Sequence, residues 1–470
     1  MLESVLVQKL KMGRLLLPIF IVVNLVLYYF SYDGATFIEG ADASQYYIPA
    51  VSLLESGQFM LGDDLPLTFG PPFYSIFLAI PIGIFGLEGS DTAIVILQVL
   101  MLFVTGNIFK LIFLSLYSGP SKNTYAALLH ALVIFNPNSL ITAHLVQSET
   151  LFTLLFSIAL FFSIKLLSDF SLRNLVLIGL FLGFATLTRS VSIYFLIASP
   201  LFLWIVMILQ GKRINKSKLT IPLLIGAIVI SPWYVRNYVE FGEVFYTANA
   251  GSYLKSQYIQ LKHKGLGWSI KQGVDRHNEQ FEKYLHDKSV KRRNFCLEHE
   301  KDWSCNSLLS NLSLKLILQE PPVVHAKALV DSWGTLFLAG GASNIRNYLG
   351  IEGKSIISEF QNRPFNGIES IKDLLNGMNF SYFMIFIATT LFTVITRAIG
   401  IIGLFYIIKD RKWMPYGVLF VEVILLFTAA YLYLGQSRFR VPIEPMLMLF
   451  TVFGLIYFMN RKKSKLNGNF

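Results

Sequence analysis

Residues 33–91 contain no lysine, arginine or histidine. They do contain Asp33, Glu39, Asp42, Glu55, Asp63, Asp64, Glu88 and Asp91. The chain of 470 residues carries a formal charge of +11, so this absence needs a cause. Basic residues collect in the cis loops of membrane proteins, and a basic-free loop between apolar runs belongs on the trans side. Charge of either sign is scarce, at 15% of residues against roughly 25% in a soluble domain. With 54% hydrophobic residues, this excludes a string of soluble domains and points to a polytopic membrane protein. Cysteine is scarce too. Cys296 and Cys305 lie in one polar segment and lack the partners of a zinc site. They pair if that segment faces an oxidising compartment and stay free thiols otherwise. There is no glycine-rich phosphate loop to suggest a nucleotide site. The positive charge is split into short clusters between apolar runs, so nucleic acid is not an expected partner.

A membrane-crossing helix needs about 20 apolar residues. Spans are expected near 15–32, 92–112, 124–142, 150–168, 174–188, 191–210, 219–239, 381–408, 414–434 and 441–460. The first run is too long for a signal-peptide core and has no small-residue cleavage site, so it reads as a retained span. Basic clusters then fall on one side: Lys9, Lys11 and Arg14; Lys110 and Lys122; Lys165 and Arg173; Lys212, Arg213, Lys216 and Lys218; Lys409, Arg411 and Lys412; and Arg461, Lys462, Lys463 and Lys465. Both termini are expected on the cytoplasmic side. Residues 71–87 are apolar but interrupted by Pro81, Gly83 and Gly86. Counting them as a span would move most later clusters to the opposite side, so they read as a juxtamembrane or re-entrant helix on the outer face. The stretch 240–380 is polar and reads as an outer-face lid or acceptor-binding segment, with 276–303 helical and 323–338, bearing Trp333, an interfacial helix.

Asp42 is the first candidate for chemistry. It falls about ten residues past the first span, before a short helical pattern of Tyr47, Ala50, Val51 and Leu54. A helix-capping role with Gln45 competes with a catalytic one, although Pro49 sits badly inside such a helix. Glu149, in Gln147-Ser148-Glu149, lies at the same membrane face, and a simple helix-dipole role competes there. Two carboxylates converging on an outer-face pocket would position an acceptor or hold a divalent cation. His144 reads as structural. Arg189, Arg236, Arg438 and Arg440 fall in outer turns, where a positive-inside protein has little reason to place them. Arginine binds phosphate bidentately and stays charged near lipid, so a lipid phosphate is their natural ligand, with headgroup snorkelling the alternative. Arg397, inside a long apolar stretch, reads as a snorkelling residue or a misplaced boundary.

Several segments together resemble a known family. Asp42-Ala-Ser-Gln-Tyr-Tyr-Ile-Pro-Ala, followed by Gly57-Gln-Phe and Gly70-Pro-Pro-Phe-Tyr, is similar to the first outer loop of GT-C glycosyltransferases. The protein O-mannosyltransferases and the lipid A aminoarabinose transferases are the relatives it resembles. Ser148-Glu149, Gly183-Phe-Ala-Thr-Leu-Thr-Arg189, Pro232-Trp-Tyr-Val-Arg236-Asn237 and Arg438-Phe-Arg440-Val-Pro442 follow in the same order. The resemblance covers about 15–250 and 320–460. It departs at Ala43, where many relatives carry a second acid, and at Ser190, where the usual motif has proline.

The resemblance implies an all-α, GT-C-like polytopic membrane protein with about ten transmembrane helices, outer-face juxtamembrane helices and a large outer loop. Residues 1–239 would form the membrane core with a catalytic loop at 33–91, 240–380 a lid, and 381–470 the C-terminal transmembrane helices. It implies an inverting transfer of sugar from a polyprenyl-phosphate donor to an acceptor, with Asp42 as general base and Glu149 as the second acid. Arg440, Arg438, Arg236 and Arg189 would bind the lipid phosphate. No cofactor is expected to be required, although a divalent cation at Asp42 and Glu149 stays open. The expected partners are a polyprenyl-phosphate-linked sugar, an acceptor whose chemistry the sequence does not name, and membrane lipid. The expected setting is a bacterial inner membrane with the site facing the periplasm. A transporter or flippase, and a polymerase or ligase of lipid-linked glycans, are the competing classes.

Overall fold

The computed structural model describes residues 12–31, 42–62, 65–212, 215–288, 290, 293–298, 302–352 and 378–466. Asp33, Glu39, Asp63 and Asp64 of the acidic loop lie outside the described residues, as do Lys9, Lys11 and Arg213. The first half of the chain is helical: α1 (Met12–Tyr29), α2 (Ala43–Ser56), α3 (Phe73–Leu116), α4 (Lys122–Ile134), α5 (Pro137–Thr142), α6 (Glu149–Ser168), α7 (Leu172–Thr188), α8 (Ser192–Leu209) and α9 (Ile221–Phe241). The polar segment that follows is also helical: α10 (Ala250–Leu266), α11 (Ile270–Asp287), α12 (Arg293–Glu298), α13 (Trp303–Leu318), α14 (Pro322–Leu338) and α15 (Ala342–Tyr348). Helices α16 (Phe380–Lys409), α17 (Met414–Tyr431) and α18 (Glu444–Leu466) close the chain, with a 3-10 turn at Ser437–Ile443 leading into α18. Among the described residues the only sheet is a small antiparallel pair, β1 (Met60–Gly62) and β2 (Leu65–Pro66). Among the described residues seven helices are long and apolar enough to cross a membrane, and Leu15–Tyr29 and Leu172–Thr188 are shorter apolar helices. The protein is an integral, multi-pass membrane protein. The expected span at 124–142 is broken at Asn136, whose side-chain oxygen caps α5 by accepting from Asn138 and Ser139 N–H.

Residues 71–87 do not run to the far end of the bundle. α3 breaks at Gly86, whose φ of 72° and ψ of 178° no side chain tolerates well. A straight helix would separate residues 74 and 98 by roughly 36 Å. Instead the Tyr74 hydroxyl donates to Gln98 Oε1 at 2.7 Å. The chain therefore doubles back at Gly86, and α2 lies along the hairpin, with Tyr47 reaching Ser90 at 3.4 Å.

The bundle of long helices has two chemically distinct ends. One end holds Asp42, Glu149, Arg189, Tyr431 and Arg438 in mutual contact. The other end gathers the basic loops: Lys212 Nζ donates to Leu167 O, Trp413 donates to Leu116 O at 3.0 Å, and Lys216 sits over Trp204. The charge segregation read from the sequence is thus a property of the fold. α18 is the most enclosed candidate span, and it packs closely on α16 because Gly403 has no side chain. A Cβ there would lie 1.8 Å from Phe450 O.

The described part of the polar segment, from α10 to α15, is packed and not a loose loop. Phe281, Leu285, Leu309 and Leu312 form a small core around Cys296 and Cys305. A second core, including Tyr258, Leu261, Val324 and Ala328, ties α10 to α13 and α14 and reaches Tyr433. The two cysteines are disulfide-bonded, with Cα atoms 5.5 Å apart. Closing so short a loop stabilises a fold by about 2–3 kcal/mol on a chain-entropy account. Neither thiol of the purified protein is expected to react with an alkylating agent before reduction. Reduction is expected to lower the midpoint of thermal unfolding, read by intrinsic fluorescence.

Candidate active site

Asp42 occupies the N-cap position of α2, but its side chain caps nothing. The Gln45 N–H is met by the Asp42 backbone carbonyl instead, at 3.1 Å. The carboxylate turns away and forms an ion pair with Arg438, Oδ2 to Nη2 at 2.5 Å. Pro49 does sit inside the helix. The capping alternative is removed by geometry, while the objection from Pro49 does not hold.

Glu149 is the first residue of α6 and is fully buried, at 0% exposure. A lone buried carboxylate is prohibitively expensive, and this one is bound by two guanidinium groups. Its Oε1 accepts from Arg438 Nε at 2.5 Å and is ion-paired with Arg189 Nη1 at 2.7 Å. Its Oε2 is buried with no protein partner. Arg189 Nη1 also donates to Ser148 Oγ at 3.1 Å, and Nη2 to the Tyr431 hydroxyl at 3.3 Å. Burial alone would lower the Arg189 pKa, but the Glu149 charge holds it well above its usual value. Tyr46, four residues past Asp42, shares a hydrogen bond with Ser148 Oγ at 3.2 Å. Burial raises its pKa, with Arg189 opposing, so it remains a neutral hydroxyl. The result is a chain of alternating charges, Asp42, Arg438, Glu149, Arg189, that sums to zero. Its inner members are sealed in, and its outer member, the Asp42 side chain, is 34% exposed.

Of the sequence-predicted residues, Asp42, Glu149, Arg189 and Arg438 come together. Arg440 and Arg236 are elsewhere. Arg440 is 0% exposed, and its three nitrogens donate to Glu444 Oε1, Leu336 O and Ala339 O. Arg236 is spent on the β1–β2 region, donating to Leu67 O at 2.9 Å and Phe59 O at 3.4 Å while stacking on Trp233. Arg397 is neither a snorkelling residue nor a boundary error. It is 8% exposed and pairs with Glu444 Oε2 at 2.6 Å, which Asn136 Nδ2 also reaches at 3.1 Å. This second cluster anchors the turn that carries Arg438. The turn is held at its start as well, where Asn138 Nδ2 donates to Ser437 O at 2.5 Å.

The strand of chain before that turn is gripped by the helical segment. Leu432 takes φ +32°, strained for a β-carbon residue. Ser332 Oγ donates to its carbonyl at 2.6 Å, Gln257 Oε1 accepts from Tyr433 N–H at 3.0 Å, and Lys264 Nζ donates to Tyr433 O at 2.9 Å. The sequence reading missed Tyr46, Tyr431, Glu444 and this clasp. The only signals were Tyr46 and Glu444 standing four residues after Asp42 and Arg440.

For a shared cation, Arg438 already occupies the space between Asp42 and Glu149. Among the described residues, no group of three or more histidine, cysteine or acidic side chains gathers.

The comparisons agree with this architecture. The family model described as dolichyl-phosphate-mannose-protein mannosyltransferase matches residues 70–235. That stretch includes Glu149 and Arg189 but not Asp42 or Arg438, and it is less than half of the chain. The apo crystal structure of the Archaeoglobus fulgidus oligosaccharyltransferase superposes with a TM-score of 0.51 at 14% identity, over 95% of this chain and 51% of that one. This chain thus spans about half the length of that oligosaccharyltransferase. ArnT from Cupriavidus metallidurans bound to undecaprenyl phosphate aligns at 16% identity over 92% of this chain and 77% of that one, with a TM-score of 0.40. Among curated protein sequences, none matches. The fold is GT-C-like, and the chain resembles the GT-C glycosyltransferases in sequence and in architecture.

Two outcomes follow from the geometry. Glu149→Gln leaves Arg189 and Arg438 without their buried counter-charge, a loss of about 3–5 kcal/mol, which thermal unfolding of the purified protein measures. An unchanged midpoint would mean that Glu149 is not the hub.

The second concerns pH. His144 is fully buried, its Nε2–H donating to Asn24 Oδ1 at 2.8 Å and its Nδ1 facing the Tyr348 hydroxyl at 3.0 Å. Burial lowers its pKa from 6.5 to about 4. Burial likewise lowers that of His277 to about 3, helped by Lys255. Both histidines favour the neutral form when folded, so their stabilisation is complete above pH 6.5. It is lost as pH falls from 6.5 towards about 4, because the unfolded chain takes up protons first. Thermal midpoints are expected to fall across that window, and less steeply in His144→Gln.

Proposed function

We propose that the protein is a glycosyltransferase that moves a hexosyl or pentosyl group from a polyprenyl-phosphate donor to an acceptor on a lipid, glycan or protein. The observation that carries this reading is the charge chain. It ends in a half-exposed carboxylate, Asp42, held against a guanidinium, Arg438, at one end of a membrane-spanning bundle. A base beside a phosphate-binding cation is what displacement at a sugar-phosphate carbon requires. The description of the matching family, with dolichyl-phosphate-mannose as its sugar donor, supports that donor class.

In this mechanism the acceptor oxygen or nitrogen attacks the anomeric carbon, and its proton passes to Asp42. The bond from the anomeric carbon to the phosphate oxygen breaks, and its electron pair leaves with the polyprenyl phosphate. Attack opposite the leaving group inverts the carbon. Arg438 meets the developing phosphate charge, where preorganised donors act most strongly. Arg189 and Glu149 keep Arg438 charged and aimed. Arg440 and Arg236 act at one remove, the first by fixing the turn of Arg438 and the second by holding the β1–β2 segment. The reaction so drawn needs no cofactor.

The site end is read as the trans face, periplasmic in a bacterial inner membrane, with both termini cytoplasmic. The basic loops at the opposite end and the disulfide in the helical segment support that orientation. The helical segment 250–338 is read as the acceptor side of the site.

The test is transfer of radiolabelled sugar from polyprenyl-phosphate donors by the purified protein in lipid. Asp42→Asn is expected to lower transfer by about 10²–10⁴ at equal folded protein. Chelation is expected to leave the wild-type rate unchanged. Full activity in Asp42→Asn would remove Asp42 as the base. Movement of lipid-linked sugar across the bilayer without transfer would establish the transport reading, and extension of one lipid-linked glycan by another would establish a polymerase.

A further inference from the structure

The ion pair between Asp42 and Arg438 sets the two roles assigned to them against each other. A phosphate oxygen and the Asp42 carboxylate are both anions and would both need the outward face of Arg438. Arg438 Nη2 is 2.5 Å from Asp42 Oδ2, so a phosphate cannot occupy that position while the pair stands. One carboxylate must yield, and the structure shows which. Glu149 is fully buried, shared with Arg189, and bound through Nε on the inner edge of the guanidinium. Asp42 is 34% exposed in its side chain, stands at the N-terminus of a short helix, and caps no N–H of that helix.

On the proposed reading of this site, we infer that Asp42 is an internal competitor for the donor phosphate, and that the phosphate, by taking Arg438, releases Asp42 as the base. In the free protein the Arg438 guanidinium occupies the Asp42 carboxylate. Seating of the lipid phosphate breaks that pair and leaves the carboxylate free to face the acceptor. The base is thus withheld until a donor is present, and water has no activated carboxylate to use in the empty site. No covalent step is involved. One ion pair, Asp42 with Arg438, is exchanged for another, phosphate with Arg438.

By reciprocity, whatever the pair withholds from Asp42 it also withholds from the phosphate. Removing the competitor should therefore tighten donor-lipid binding, opposite to the loss expected if Asp42 were an ordinary contact to the ligand. The probe is a polyprenyl phosphate without sugar, titrated against the full-length protein in lipid nanodiscs. Asp42→Asn is expected to bind it about three- to tenfold more tightly than wild type, the range of a partly buried ion pair. Asp42→Ala, which keeps no acceptor, is expected to show the same gain. Arg438→Gln is expected to weaken binding, and adding Asp42→Asn to it should restore nothing. Equal or weaker binding by both Asp42 variants, with wild-type binding and transfer intact, overturns the competition while leaving the glycosyltransferase reading standing. A gain that persists without Arg438 overturns it as well. Absence of any polyprenyl-phosphate binding by wild type removes both.

Discussion

The structure turns on one buried carboxylate. Glu149 is sealed at the head of α6, and only two guanidinium groups make its charge tolerable. They come from opposite parts of the chain: Arg189 from the end of α7, Arg438 from the turn before α18. Removing one partner of such a pair costs far more than the pair itself contributes, because the other is left charged in a dry place. The ends of α6, α7, α17 and α18 are therefore bound to one point. That point is where the first loop delivers Asp42.

A second buried knot, Arg440, Glu444, Arg397 and Asn136, does for the turn what Glu149 does for the helix ends. It fixes the C-terminal side of Arg438, while Asn138 fixes the N-terminal side. The strained turn at Leu432 is held by Ser332, Gln257 and Lys264, all from the helical segment 250–338. The guanidinium facing Asp42 is thus positioned jointly by the membrane bundle and by the segment on the proposed acceptor side. A shift in that segment has a short physical route to the charge chain.

Much of this was legible in the sequence, and the reasons are specific. The spans were visible because a membrane helix must be apolar along its length. Charge parity read 71–87 as a juxtamembrane or re-entrant helix, since a further crossing would have put basic loops on both faces, but it did not foresee the reversal at Gly86. Asp42 stood out because its loop lacks any basic residue, and Glu149 because its position places it at the same face. What failed was direction. Arg438 and Arg440 are two residues apart in a 3-10 turn, so their side chains diverge by roughly 120° and serve different knots. Nothing in the spacing says which faces Asp42. Glu444 and Tyr46 were missed because an acid in an apolar helix and a tyrosine among aromatics carry no periodic signal. The partner that gives each its role arrives from a distant part of the chain. In the polar segment, the helix read at 323–338 is α14 (Pro322–Leu338), whereas 276–303, read as helical, is divided among α11, α12 and the start of α13, because its packing rests on a disulfide and small cores that the spacing does not announce.

The central claim is that the Asp42–Arg438 pair is the place where a lipid phosphate is met. The most direct test is a structure of the protein with a polyprenyl phosphate bound. The account predicts phosphate density within hydrogen-bonding distance of the Arg438 guanidinium, with Asp42 displaced from it and Glu149 still bridging Arg189 and Arg438. Phosphate density on Arg236 or elsewhere, with the Asp42–Arg438 pair intact, would contradict it.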